Sequence, residues 1–212
     1  MQNTYEKTTI SAFLEQLSSA APAPGGGSVA ALSGAMAASL VLMVCNLTIG
    51  KEKFVENDRE TRAIMEEALK LRNRLMDAVS EDIKAYEGVV ACYGLPKETL
   101  QEKEQRREKM QAALKNATEV PYKTARACVR VLELNRRLPL IGNPNAVSDV
   151  AVAVHLAEAA LQSALYNGDI NCNYIKDDIY VQDYQEKRNA LSKQAIITKE
   201  AVIEAARTIL EA

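Results

Sequence analysis

Apolar residues recur every three to four positions along most of the chain, which is the α-helical period, and no stretch alternates with period two over a useful length. The pattern predicts a short first helix, capped by Thr8 or Thr9 and ending near Leu17. A turn cluster at 20–27 follows, and a second helix opens with Ser28 as its N-cap and closes on Gly50 and Lys51. A third, long helix covers 58–93. A fourth runs from about 97 to 118, with Pro121 breaking the path before a fifth at about 122–137. Residues 138–145 read as a loop, a sixth helix at 147–166 stops at Asn167 and Gly168, and a last one covers 177–210. With no repeat or linker, this is a single all-α domain over 1–212, a bundle of long helices.

The second helix is the most apolar. No charged residue occurs between Gln16 and Gly50, and 28–49 is long enough to cross a bilayer. The segment nevertheless carries Ser33, Gly34, Ser39, Asn46 and Thr48, and the other helices are amphipathic. It is therefore read as the buried apolar central helix of a bundle and not as a membrane span.

The chain has 212 residues, 48% apolar and 25% charged, with a net charge of −2. This balance excludes disorder and argues against a protein that grips nucleic-acid phosphates. Abundant alanine with only 5% aromatic residues favours closely packed helices. A single histidine, His155, rules out a multi-histidine metal site within one chain and reads as structural. Cys45, Cys92, Cys128 and Cys172 lie far apart without a C-x-x-C pair, so they read as small buried hydrophobes of a reducing, cytoplasmic compartment. The first seven residues lack the basic-then-apolar pattern of a secretory leader.

Asp82 is the most informative position. The apolar stripe of the third helix reads Ile64, Ala68, Leu71, Leu75, Ala78, Asp82, Ala85, Val89, with spacings of three and four, so Asp82 fills a core-facing slot. A carboxylate facing inward is costly unless it is paired or lines a cavity, and its pKa tends to rise, as a general acid/base near neutral pH requires. A carboxylate capping or pairing inside the bundle is the structural alternative. Gly25, Gly26 and Gly27 allow a ligand close to the backbone at a helix start, but the run matches no nucleotide-binding loop; a turn with Ser28 as cap is the simpler reading. Asn145 or Ser148 suits a cap of the sixth helix, with Asp149 in its first turn. The mixed-sign run 102–109 reads as a solvated face.

Taken together and in order, several blocks resemble the cyclodeaminase/cyclohydrolase family of folate enzymes. They are APAPGGGSVAAL at 21–32, MVCNLTIGK at 43–51, SEDIKAY at 80–86, ATEVP at 117–121, GNPNAVSD at 142–149 and IN at 170–171. Two departures are Ala151, where the family tends to have glycine, and Gly168, where an apolar residue usually follows asparagine.

The resemblance implies a cytoplasmic helical homodimer acting on tetrahydrofolate derivatives, with no further cofactor, metal, nucleic acid or membrane. It places the family's catalytic aspartate on Asp82, its glycine-rich loop on Gly25, Gly26, Gly27 and Ser28, and other substrate-binding polar groups on Lys51, Asn143, Asp149 and Asn171. The implied reaction is cyclisation of 5-formimidoyltetrahydrofolate to 5,10-methenyltetrahydrofolate with release of ammonia. Hydrolysis of the methenyl compound to 10-formyltetrahydrofolate is the alternative, and a non-catalytic folate-binding or interaction module is the remote one.

Overall fold

The computed structural model describes residues 8–211; the N-terminal residues that bear on a leader lie outside them. Among the described residues the chain is helical and has no strand. The helices are α1 (Ile10–Leu17), α2 (Gly26–Thr48), α3 (Asp58–Tyr93), α4 (Leu100–Leu134), the single turn α5 (Leu138–Ile141), α6 (Val147–Cys172) and α7 (Asp178–Leu210). The all-α bundle expected from the periodicity is what forms.

Helix α2 is its centre, packed against α3 and α6 and touching α4. Its small residues set how close these neighbours come. Ala30, Ala31, Ala35, Ala37 and Ala38 are all buried, and a Cβ on Gly34 would lie 2.8 Å from Cys128 Sγ. Around them Leu75, Leu132, Leu161 and Leu165 are fully enclosed, each burial contributing about 1.5–3 kcal/mol. The apolar second helix is thus a core helix, and all four cysteines are buried, free thiols.

Local chemistry fixes the helix starts. Thr9 caps α1 by accepting from the Ala12 amide, and Asp177 caps α7 by accepting from the Tyr180 amide. Thr99 and Glu102 form a reciprocal capping box, which moves the start of α4 from the expected Lys97 to Leu100. Gly50, at φ +75°, ends the α2 segment in the left-handed region that glycine tolerates.

Two expected breaks do not occur. Helix α4 continues through Pro121 as one 35-residue helix, where two were expected. Proline supplies no N–H, so the carbonyl of Ala117, four residues earlier, loses its helical donor. The Asn171 side chain of α6 supplies one instead: Nδ2 donates to Ala117 O at 2.9 Å. Likewise α6 runs through Asn167 and Gly168 to Cys172. Gly168 is there for proximity: a Cβ would fall 2.1 Å from Tyr184 Oη, whose hydroxyl donates to Leu165 O from α7. The 138–145 segment, expected as loop, contains α5 and part of a 3-10 turn.

Candidate active site

The first turn of α2 lies against the middle of α3, and the sequence around it explains the contact. Helix α2 begins at Gly26 with Gly25 as its N-cap, so Ser28 is inside the first turn and not the cap it was expected to be. Its side chain, fully buried, turns to α3: Ser28 Oγ donates to Asp82 Oδ2 at 2.9 Å, and the Ser28 amide also supports the carboxylate. The adjacent Gly27 leaves room for that carboxylate, since a Cβ there would lie 2.1 Å from Asp82 Oδ1. Gly26 abuts a second polar group; its Cβ would lie 3.3 Å from the Asn167 amide. The glycines are therefore places where side chains from α3 and α6 reach the α2 backbone.

Asp82 sits in the wall of a cavity of about 450 Å³. Ala85, Leu114 and Ala117 are its buried apolar surface, and the exposed side chains of Tyr86, Val90, Tyr93, Ile170 and Tyr174 surround it. Asn167 and Asn171, one turn apart on α6, complete the lining. Burial pushes the Asp82 carboxyl above the usual carboxylate range, and the Ser28 hydrogen bonds pull it part of the way back. No cation pairs with Asp82 among the described residues. A half-buried, unpaired carboxylate beside a hollow is equipped to exchange protons with a bound molecule.

The cavity unites Gly25, Gly26, Gly27, Asp82 and Asn171 of the sequence candidates, with Ser28 directly behind Asp82. Lys51, Asn143 and Asp149 lie at the other end of the bundle. Asn143 Nδ2 donates to Leu47 O near the C-terminus of α2, and its amide donates to Thr48 Oγ1. With a rise of about 1.5 Å per residue, that end is roughly 30 Å from Ser28. Asp149 occupies the first turn of α6 and Asn171 its last. Asn143 caps the short turn before α6, while α6 itself has Ala146 at its N-cap and no side-chain cap from Asn145 or Ser148. His155 is exposed and outside the cavity lining.

By its own neighbours Asn167 looks like a helix stop, and nothing local marks Tyr86, Tyr93 and Tyr174 as the aromatic surround of a site. The four-residue interval between Asn167 and Asn171 was the available signal, once both belong to one helix. Among the described residues no group of three or more His, Cys, Asp or Glu is arranged to hold a metal.

A family model described as formiminotransferase-cyclodeaminase matches residues 9–190. A methenyltetrahydrofolate cyclohydrolase of Methylorubrum extorquens is 41% identical over 200 residues, covering 94% of this chain and 96% of the relative. A formimidoyltransferase-cyclodeaminase of Rattus norvegicus is 29% identical over 187 residues; the match covers 88% of this chain but only 35% of that longer protein. The crystal structure of a formiminotetrahydrofolate cyclodeaminase from Thermotoga maritima superposes with a TM-score of 0.87 at 28% identity, over 97% of this chain and 98% of the other. The glycine turn, the buried serine and the aspartate on α3 thus belong to a scaffold shared along its whole length, and the protein is a member of the formiminotransferase-cyclodeaminase family of folate one-carbon enzymes.

Proposed function

We propose that Asp82 is the proton carrier for chemistry on the one-carbon bridge between N5 and N10 of a tetrahydrofolate. The observation that carries this reading is its carboxylate, raised in pKa, unpaired by any cation among the described residues and set beside the cavity. In hydrolysis, water adds to the methenyl carbon while Asp82 takes its proton. The C–N5 bond then breaks as the hydroxyl loses its proton to solvent, N5 takes the proton held by Asp82, and 10-formyltetrahydrofolate leaves. In cyclodeamination, N10 attacks the carbon of the protonated formimidoyl group, Asp82 takes the N10 proton and passes it to the amino nitrogen, and the bond from carbon to that nitrogen breaks to release ammonia and leave the methenyl cation. Positioned proton transfer of this kind contributes about 10²–10⁴ in rate.

Both reactions suit one carboxylate. Hydrolysis is placed first because the cyclohydrolase relative is alike over nearly the full length of both chains, whereas the bifunctional relatives share about a third of theirs. Cyclodeamination, favoured by the Thermotoga maritima likeness, is the second reading. The methenyl chromophore separates them. Its loss above the buffer rate supports hydrolysis, its appearance from 5-formimidoyltetrahydrofolate supports cyclodeamination, and neither change would refute both.

The same reading includes a cytoplasmic homodimer that needs no further cofactor. The uncharged outer face of α2, with Met36, Met43 and Leu47 exposed, is the surface a second copy would cover. Pairing two such faces antiparallel about a twofold axis would carry Lys51 and Asn143 of one copy toward the Asp82 cavity of the other.

A further inference from the structure

Three polar side chains of the cavity, Asp82, Asn167 and Asn171, have a common character. Asn171 Nδ2 spends its hydrogens on two carbonyls, Ala117 O at 2.9 Å and Asn167 O at 3.0 Å. Asn167 Nδ2 donates to Ser163 O at 2.8 Å. Because each of these partners accepts only, the orientation of both amides is settled by their surroundings. Neither Oδ1 has a donor among the described residues, although both side chains line the cavity. With the Asp82 carboxylate, these make three groups that present only acceptors to the cavity, beside the tyrosine hydroxyls at its rim. Asp82 abuts Gly27 and Asn167 abuts Gly26, so two of them stand over adjacent residues of one helical turn.

We infer that Asn167 and Asn171 read the N–H donor edge of the substrate's ring, and that Asn167 is a specificity-determining residue of this site. The inference rests on the tetrahydrofolate reading above. A reduced 2-amino-4-oxopterin presents donors at its 2-amino group, N3 and N8, and a fixed amide oxygen is their complement. Apolar and aromatic surroundings strengthen such bonds and penalise a ligand that leaves the acceptors unmet. Asn171 is the less tractable of the two to test, because it also completes α4. The Asn167 side chain hydrogen-bonds only within its own helix, so its replacement removes no hydrogen bond between helices and alters only the packing against Gly26.

The test compares 5,10-methenyltetrahydrofolate with its 2-desamino-2-methyl analogue in the full chain, by initial rates and KM. The parent is expected to favour the natural compound in KM by about tenfold, the range of one well-placed hydrogen bond. Asn167→Leu is expected to lose that preference, with most of its loss in KM and not in kcat. Asn167→Asp, which keeps acceptor oxygens, is expected to retain it. Circular dichroism checks the fold, and Asn167→Ala replaces the leucine variant if that does not fold. An undiminished preference in the apolar variant would overturn the inference while leaving the folate reading intact. A parent chain that turns over neither methenyl nor formimidoyl substrate would overturn that reading and this inference with it.

Discussion

Asn171 on α6 donates to the carbonyl of Ala117 on α4 that Pro121 leaves without a helical donor. Two short blocks, ATEVP and IN, are thereby one structural device. The proline opens a hydrogen-bonding vacancy in the wall of the cavity, and an asparagine from the neighbouring helix fills it.

That relationship predicts a non-additive pair of substitutions. Asn171→Leu leaves a buried carbonyl unsatisfied and is expected to cost about 1–3 kcal/mol in denaturant unfolding. In a Pro121→Ala background the alanine amide restores the donor to Ala117, and the same change is expected to cost markedly less. Equal costs in both backgrounds would mean that the vacancy carries no energy.

The bundle and the position of Asp82 were legible because both are written in periodicity: a three-four stripe needs only local geometry to be read. Pro121, Gly168 and Ser28 depart from their local signals for a shared reason. Each looks like a helix terminus to its own neighbours, and each is kept inside a helix by a distant partner. Asn171 serves Pro121, Tyr184 lies over Gly168, and Asp82 holds Ser28. Local propensity cannot see a partner 54 residues away, which is the separation of Ser28 from Asp82.

Gly27→Ala is expected to be the more damaging of two small changes at the α2 turn. Its Cβ would fall 2.1 Å from Asp82 Oδ1, forcing the carboxylate or the helix to move, whereas that of Gly26→Ala meets the Asn167 amide at 3.3 Å. A displacement of about 1 Å at a catalytic group costs roughly 10²-fold, so turnover should fall about that far for Gly27→Ala and by less for Gly26→Ala. Steady-state rates of the two variants check the order.

Gly88→Ala provides the contrast. Gly88 is exposed in the interior of α3, and a Cβ there meets nothing within 4 Å. Replacing a helical glycine lowers the entropy lost on folding, by about 0.5–1 kcal/mol. The variant is expected to melt higher than the parent by scanning calorimetry.

The exposed methionines of α2 make the dimer testable. Met43→Asp places a charge in the middle of the uncharged face without touching the core, because Met43 points outward. If a second copy covers this face, sedimentation should change from dimer to monomer while helicity is kept. A dimer unaffected by the aspartate would place the interface elsewhere.

Asp82 ties activity and stability together with opposite signs. Asp82→Asn is expected to keep the fold and lose about 10²–10⁴ in turnover. Burial raises the Asp82 pKa in the folded state, so the folded chain binds this proton more tightly than the unfolded chain does. Stability from this group is therefore greatest at low pH and is lost as pH rises through the raised value. Above the raised value the parent carries an ionised carboxylate that is only partly solvated, and the asparagine variant does not. The variant should melt above the parent at pH values above the raised one, with the gap closing as pH falls toward the ordinary carboxylate value of about 4. Ser28→Ala supplies the companion measurement. Removing the hydroxyl takes away a bond that lowers the Asp82 pKa, so the acid limb of the pH–rate profile should move to higher pH. A limb that stays in place, or an asparagine variant that melts below the parent at every pH, would show that burial does not govern this carboxylate.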